Sequence, residues 1–363
     1  MEIVIMTIKN IIYSAHQSLG QFASIPVKRS HVYELLAAAF GFNTYASLTS
    51  KAILIQRKSP HSEDAINLDL LQQRSEEFGY GSILAGVLPV IMREHRIGAL
   101  TLSNLVAQLK SYDYLEGYDW DDDHSSQQVS PEAFHALEAA AKIGNPLAHY
   151  AIALHYENRD ESNEEGISND YWYKQMQSGR ELSAIEKEFA LAYQEQLTSQ
   201  KKYQFHLREA ARLGCELAIL DLAEKFGDHA FFEGDYRDID ADPMRVAEIA
   251  DELGRSDDHR YWLTIAADSG NISAMRELIE KYDDEDLLRC WTWVYLSKLL
   301  GNDITQDHRV AIHDDGSSYD DDVGGNAHVI GEDGIDLPIL ESEQDSLAKA
   351  DAETLFNRIN MTK

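Results

Sequence analysis

Histidine and carboxylate side chains are the groups in this sequence that could carry acid–base or metal chemistry. The chain has 14 histidines, 63 aspartates and glutamates, and 2 cysteines. Protein metal sites usually place His or Cys pairs on one face, as in H-x-x-x-H or C-x-x-C, and neither pattern occurs. His149 and His155 are six residues apart, which puts them on different faces of a helix, and His206 lies far along the chain. The histidines predict neither a metal site nor a general base.

Two acidic clusters raise the question of a hard cation, because Ca²⁺ prefers several carboxylate oxygens. They are DWDDDH at 119–124 and DDGSSYDDD at 314–322. Neither has the alternating D-x-D-x-D-G spacing of a calcium-binding loop, so solvated charge is the preferred interpretation. The sequence also has no G-x-S-x-G elbow, no phosphate loop and no G-x-G-x-x-G fingerprint. We therefore predict no catalytic residue, no cofactor, no metal and no enzymatic activity.

A motif repeated three times with one internal spacing is the strongest feature of the chain. Around each central glycine stand a leucine at −7, alanines at −4, −3 and +4, and an aromatic residue at +12. Such a stripe predicts a helix that ends at the glycine, a short turn and a second helix, with small alanines where the two helices touch. The copies are Leu137, Ala140, Ala141, Gly144, Ala148 and Tyr156; Leu207, Ala210, Ala211, Gly214, Ala218 and Phe226; and Leu263, Ala266, Ala267, Gly270, Ala274 and Tyr282.

These three sets of residues resemble the Sel-one-like repeat family, a relative of the tetratricopeptide hairpins. The resemblance implies an α-solenoid of antiparallel helical hairpins that serves as an adaptor or scaffold, and it supplies no catalytic residues. The glycines here are 214 − 144 = 70 and 270 − 214 = 56 residues apart, whereas such hairpins recur at roughly 35–45 residues. We therefore predict inserted helices at 160–200 and 228–258, and a degenerate fourth copy that ends at Gly301.

The predicted fold is all-α, with a small helical module in front of the solenoid. Within the module, Ser30 and Glu34 are predicted to cap a helix, and a second short helix follows from Asn43 or Thr44. Pro89 is predicted to kink or end a later helix. The predicted segments are a helical module at 1–60, a helical extension at 61–111, an acidic linker at 112–129, the repeat solenoid at 130–302, an acidic flexible loop at 303–339 and a capping helix at 340–363.

Charge is the second global feature. The net charge is −31, and because residues 1–60 carry six basic and two acidic side chains (+4), the other 303 residues carry −35. A polyanion repels phosphate backbones and attracts basic partners, so nucleic-acid binding by the body is not expected. There is no apolar run of eighteen residues and no recognisable signal peptide. We therefore expect no membrane association and a cytoplasmic location. Cys215 and Cys290 are expected to be buried reduced thiols, which is consistent with a reducing compartment.

Aromatic residues in polar surroundings mark the predicted partner surface, since Tyr and Trp are favoured as interface anchors. We expect it on the concave side of the solenoid, formed by Tyr171, Trp172, Tyr173, Asp235, Asp238, Asp240 and Asp242. The predicted function is a non-enzymatic scaffold that binds a basic protein, for example as an immunity- or antitoxin-like inhibitor. Two alternatives stay open: a regulator that contacts DNA through residues 1–60, and a hydrolase with its site in an insert. The oligomeric state is not predicted.

Overall fold

The computed structural model describes residues 8–22, 26–56, 65–110, 129, 131–161, 170–313 and 328–361. In this part the chain is mostly helical, with seventeen α-helices and two antiparallel pairs of short strands. It forms two compact units, residues 1–222 and 223–363. The acidic clusters at 119–124 and 314–322, and nearly all of the linker at 112–129, lie outside the described residues.

The first unit contains ten helices, most of an eleventh and one strand pair within the described residues. Their bounds are α1 (Ile8–Phe22), α2 (Arg29–Ala39), α3 (Tyr45–Lys51), β1 (Ala52–Gln56), α4 (Leu68–Glu77), α5 (Gly81–Glu94), β2 (Ile97–Thr101), α6 (Leu102–Lys110), α7 (Pro131–Lys142), α8 (Pro146–Glu161), α9 (Tyr171–Gln177), α10 (Ala184–Arg212) and α11 (Glu216–Phe226). The last helix crosses the boundary between the units.

The two-stranded sheet connects the N-terminal helices to the first repeat. β1 pairs antiparallel with β2, with Leu54 opposite Ala99. Neighbouring side chains on a strand point to opposite faces. Accordingly, Leu54 packs in a core built from α1 to α5, whereas Ile53 packs in a second core built from α6, α7, α8 and α10. The segments predicted at 1–60 and 61–111 therefore share one hydrophobic core.

In this region the predicted Ser30 cap is wrong, and of the two outcomes predicted at Pro89 the helix end does not occur, while the kink stays a prediction. α2 begins at Arg29, and the residue before it, Lys28, forms no side-chain cap. Glu34 does not form a capping box with Ser30, because its carboxylate accepts a hydrogen bond from the backbone amide of Tyr45 at 3.0 Å. Pro89 does not end a helix, because α5 continues through it to Glu94. Buried side chains on both sides of Pro89 hold the two halves in one helix; they are Leu84, Ala85, Leu88, Ile91 and Met92.

The second unit contains further helices and a second strand pair. Their bounds are α12 (Ala230–Glu233), α13 (Pro243–Glu252), α14 (Ser256–Asp268), α15 (Ile272–Lys281), α16 (Leu287–Leu299), β3 (His308–Ile312), β4 (His328–Glu332) and α17 (Ser342–Met361). From α13 to α17, helices that follow each other in sequence also pack against each other. The strands β3 and β4 pair antiparallel in the segment predicted as a flexible loop, where the β-branched residues of HRVAI and HVIGE favour strands.

Each of the three repeat glycines lies in a short turn between two helices. Gly144, Gly214 and Gly270 have φ values of 86°, 88° and 98°, a conformation that favours glycine. In the first copy the Gly144 amide donates to Ala141 O at 2.8 Å, and the next amide donates to Ala140 O at 3.2 Å. The other two copies repeat both bonds. The alanine pair thus supplies the carbonyl groups that this type of helix end requires.

The residue after the glycine begins the second helix of the hairpin. The side chains of Asn145 and Asn271 accept hydrogen bonds from the amides of Ala148 and Ala274 at 3.1 and 3.0 Å. These asparagines cap the helix N-termini. The alanine at +4 therefore donates to the cap and also lies fully buried between the helices.

The closing aromatic residues of the motif differ among the copies. Tyr156 is buried and its hydroxyl accepts a hydrogen bond from Lys202 Nζ at 3.0 Å. Tyr282 is half-buried and hydrogen-bonds to the His259 ring at 2.7 Å. Phe226, however, is 40% exposed at the last position of α11, so it does not fill a gap as the other two are predicted to do.

Candidate protein-binding surface

The aromatic residues predicted to bind a partner lie on the first helix of a hairpin formed by α9 and α10. The turn after α9 contains Gly179, whose φ is 81°. α10 begins with a capping box, in which Ser183 Oγ accepts from the Glu186 amide at 3.4 Å and Glu186 Oε2 accepts from the Ser183 amide at 2.7 Å. Local sequence signals therefore set this hairpin inside the predicted insert.

Tyr171 and Trp172 form one small cluster with a basic side chain. Their rings meet edge to face, with centroids 4.8 Å apart. The guanidinium carbon of Arg180 lies 5.5 Å from the Trp172 ring centroid, and Arg180 Nη1 donates to the Tyr171 hydroxyl at 3.4 Å. The cation–π contact and the hydrogen bond hold the exposed Tyr171 ring and the half-buried Trp172 ring in place.

Tyr173 belongs to a second feature, which we name the aromatic ridge: Tyr173, Ile185, Phe189 and Tyr193. The ring centroid of Tyr173 lies 5.5 Å from the ring centroid of Tyr193 on α10. Ile185, Phe189 and Tyr193 are four residues apart, so they form one row along the helix. Ile185 is 67% exposed and Phe189 is 44% exposed. The prediction from sequence missed both residues.

The ridge lies on the half of α10 that does not hydrogen-bond to α8. Lys202 and Tyr203 reach Tyr156 and Glu157 of α8 from the second half of α10, at 3.0 and 3.3 Å. The helix has 29 residues, a length of about 43 Å. Its first half instead packs against α9. Exposed apolar rows of this kind are typical of interaction surfaces.

The four aspartates of the predicted surface belong to the second unit, whereas the aromatic residues belong to the first. Asp235, Asp238 and Asp240 are exposed. Asp235 lies 3.8 Å from the guanidinium of Arg237. Asp242 caps α13 by accepting a hydrogen bond from the Met244 amide at 3.0 Å. Asp242 therefore also has a structural role.

A histidine pair lies at the packing of α8 against α10. His149 is buried, and its Nε2 donates to Ala141 O at 3.1 Å, so its Nδ1 is left to accept a hydrogen bond. His206 Nδ1 lies 3.0 Å from it and is the donor. Burial, and secondly the neighbouring His149, lower the pKa of His206 to about 4. Burial also lowers the pKa of His149. Both rings are therefore neutral at pH 7.

From the histidine pair His149–His206 we predict that the folded protein becomes less stable at acidic pH. Because the pKa of His206 falls from its ordinary 6.5 to about 4 on folding, only the unfolded chain binds the proton in that range, and the free energy of unfolding decreases as pH falls from about 6.5 to 4. We expect a loss of about 1–2 kcal/mol after allowing for partial exposure. Urea denaturation at several pH values measures it, and His206→Gln should flatten this part of the profile. Identical profiles for the two proteins would contradict the assignment.

The remaining polar clusters of the described residues have structural partners. His259 is buried, bonds to Tyr282 and lies 3.4 Å from Glu277. Both cysteines are buried, and burial, followed by Asp283, raises the pKa of Cys290 to about 11, so this thiol is neutral. Within the described ranges, no group of three or more His, Cys, Asp and Glu side chains is placed to hold a metal ion.

The segment considered for DNA contact is tied to the first repeat. Leu48 of α3 is buried. Asn145 Nδ2 donates to the carbonyl oxygens of Thr49 and Ser50, both at 3.0 Å. The C-terminal end of α3 therefore anchors the first repeat turn.

In the part of the chain that the structure covers, no helix is both long and apolar enough to span a membrane. Comparison with known proteins gives no relative: no protein-family model matches the chain, and neither a curated protein nor a solved structure matches it.

Proposed function

We propose that this chain is a non-enzymatic scaffold that binds a basic protein partner through the aromatic ridge and the adjoining Tyr171–Trp172 cluster. The observation that carries the proposal is the exposed row of Ile185 and Phe189 on a rigidly capped hairpin. An apolar centre surrounded by charge is the usual composition of a protein interface. The immunity- or antitoxin-like role, in which the partner is a basic toxin, is one form of this proposal.

The helical hairpins support a solenoid as the framework of this scaffold. Three turns share one pattern of capping bonds, and in the second unit each helix from α14 to α17 packs on the one before it. Stacking of sequential neighbours is how repeat proteins build extended binding surfaces. The solenoid and the resemblance to Sel-one-like repeats are parts of the proposal, as is a cytoplasmic location.

The charge of the chain sets the chemistry of the partner. A net charge of −31 produces a negative potential that steers basic proteins and repels acidic ones. Surface ion pairs contribute mainly to association rate and specificity, while buried aromatic anchors contribute most of the affinity. We therefore assign recognition of charge to the acidic surface and affinity to the ridge.

Affinity capture with matched variants tests the proposal. Phe189→Ser removes an anchor of the ridge, whereas Leu191→Ser removes a 48% exposed side chain about 200° away on the same helix. We expect wild type and Leu191→Ser to retain the same basic protein from the native cell, and Phe189→Ser to retain at least tenfold less. The retained protein should dissociate as salt rises from about 0.05 to 0.5 M, because salt screens the attraction.

Two results would count against the proposal. Equal loss of the captured protein in both variants would mean that the ridge is not the contact. Retention that does not change with ionic strength would remove the electrostatic part and with it the basic partner.

A further inference from the structure

We propose that the hairpin formed by β3 and β4 is a docking edge to which a basic, extended segment of a protein partner adds as a third strand. This inference rests on the proposed function for the charge of the partner, but it places a contact in the second unit, apart from the ridge. The two strands form a separate sheet, and no third described strand pairs with either of them. Each strand thus has one edge that no described strand occupies, and such edges are where a further strand can pair.

Three apolar side chains of the hairpin are exposed, namely Val310, Val329 and Ile330. Val310 lies opposite Ile330, and Ala311 lies opposite Val329. Val329 is 65% exposed and Ile330 is 50% exposed, and every residue of β4 is exposed. β-branched side chains favour strands, yet a two-stranded hairpin is only marginally stable alone. A third strand would pair with the backbone at an edge, and its side chains would pack beside those of the neighbouring strand.

The base of the hairpin is fixed to the second unit, which holds the strands ready for pairing. The Ile335 amide donates to Ile304 O at 2.9 Å, and the Gly334 amide donates to Asp307 Oδ1 at 2.8 Å. Arg276, on α15, donates to Asp333 O at 2.9 Å and pairs with Glu332 at 2.8 Å. A preorganised edge loses less conformational entropy on binding.

Charge decides which strand fits this edge. The described side chains on and around the hairpin carry a net charge of −3, from six carboxylates and three basic groups; they are Glu280, Asp303, Asp307, Glu332, Asp333, Asp336, Arg276, Lys298 and Arg309. A second copy of this chain would bring the same charge to the same edge and be repelled. A strand that alternates lysine or arginine with β-branched residues complements both the charge and the apolar side chains.

Gly331 supplies a variant that removes the edge without touching the hydrophobic core. Its φ is 144°, and a Cβ there would lie 1.9 Å from His308 O and 2.8 Å from Arg309 Cα. Gly331→Val therefore prevents β4 from pairing with β3. Ile330→Thr keeps the backbone and the strand preference, and it serves as the matched control.

The test uses the peptide Lys-Val-Lys-Val-Lys-Val and a second peptide with the same sequence in which every backbone amide is N-methylated. The two have equal charge and side chains, but only the first can donate backbone hydrogen bonds. We expect the unmethylated peptide to bind at least tenfold more tightly in fluorescence anisotropy at about 0.15 M salt. It should also slow hydrogen exchange in β3 or β4 at least tenfold. Gly331→Val should abolish the difference between the peptides, and Ile330→Thr should reduce it only slightly.

Equal binding of the two peptides would overturn the proposal, because charge alone would then explain the attraction. Protection confined to other elements would overturn it as well. Protection of the strands that grows with protein concentration in the absence of peptide would assign the edge to a second copy instead. Phe189→Ser should leave peptide binding unchanged, so a failure of this inference is distinguishable from a failure of the ridge.

Discussion

Replacing Asp283 with alanine is expected to lower the free energy of unfolding by about 3 kcal/mol. The Asp283 side chain is fully buried and accepts hydrogen bonds from Arg260 Nη2 at 3.0 Å and from Trp293 Nε1 at 3.1 Å. Arg289 Nε lies 3.0 Å from Oδ2, the oxygen that also accepts from Trp293. Alanine would leave two guanidinium groups and an indole N–H without their acceptor. Breaking a buried ion pair costs about 3–5 kcal/mol, and the partial exposure of both arginines favours the lower end.

Asp283 lies in the loop after α15 and ties two helices together, since Arg260 lies on α14, and Arg289 and Trp293 lie on α16. Urea denaturation measures the loss, and hydrogen exchange of α15 and α16 assigns it to the second unit. Asp284→Ala is the matched control, because that neighbouring carboxylate is exposed and surface substitutions usually stay within about 0.5 kcal/mol. If the two variants were equally stable, the buried carboxylate would not hold these helices.

Replacing Leu207 with alanine is expected to cost a similar amount, about 2–5 kcal/mol. Leu207 is the leucine of the second motif copy, is fully buried and packs in the core that α8 and α10 share. Truncation removes apolar contacts and leaves a cavity, because a close-packed interior relaxes only in part. Chemical denaturation followed by circular dichroism measures the effect.

Phe205→Ala on the same helix is the control for Leu207→Ala. Phe205 is larger but exposed, so its removal should change stability by only about 0.5 kcal/mol. The order of the two effects tests the helix register that the motif predicts. A larger loss for Phe205→Ala would contradict that register.

The positions of the repeat turns follow from the sequence because every interaction that forms them is local. The glycine, the alanine pair and the capping residue all lie within about six residues. A further turn of the same type was missed at Gly254, between α13 and α14. Its amide donates to Asp251 O at 2.8 Å, and the Arg255 amide donates to Ala250 O at 2.8 Å. The two backbone hydrogen bonds of this turn require the glycine but not an alanine pair. Asp251 stands where the other copies have the second alanine, so the sequence motif is not recognisable there.

The strands could not be predicted because their partners are distant. β1 and β2 are the apolar runs AILIQ and IGALT, which start at residues 52 and 97. A short apolar run is compatible with a buried helix as well as with a strand, and only the paired segment decides. β3 and β4 are surrounded by aspartates and glycines, which favour loops and hide the two β-branched runs.

The candidate site was predicted in part. Tyr171, Trp172 and Tyr173 stand out in the sequence because their neighbours are polar. Ile185 and Phe189 do not, since apolar residues four apart are also the mark of a buried helix face. Only the structure distinguishes an exposed row from a core row, and it places Ala190, not Phe189, inside.

The proposed contact between the aromatic ridge and a basic protein can be tested in the native cell by photo-crosslinking. Benzoylphenylalanine is placed at position 189 in one protein and at position 191 in another. We expect an adduct with one basic protein from position 189 and none from position 191, identified by mass spectrometry. An adduct with an acidic protein, equal adducts from both positions, or none from position 189 would contradict it.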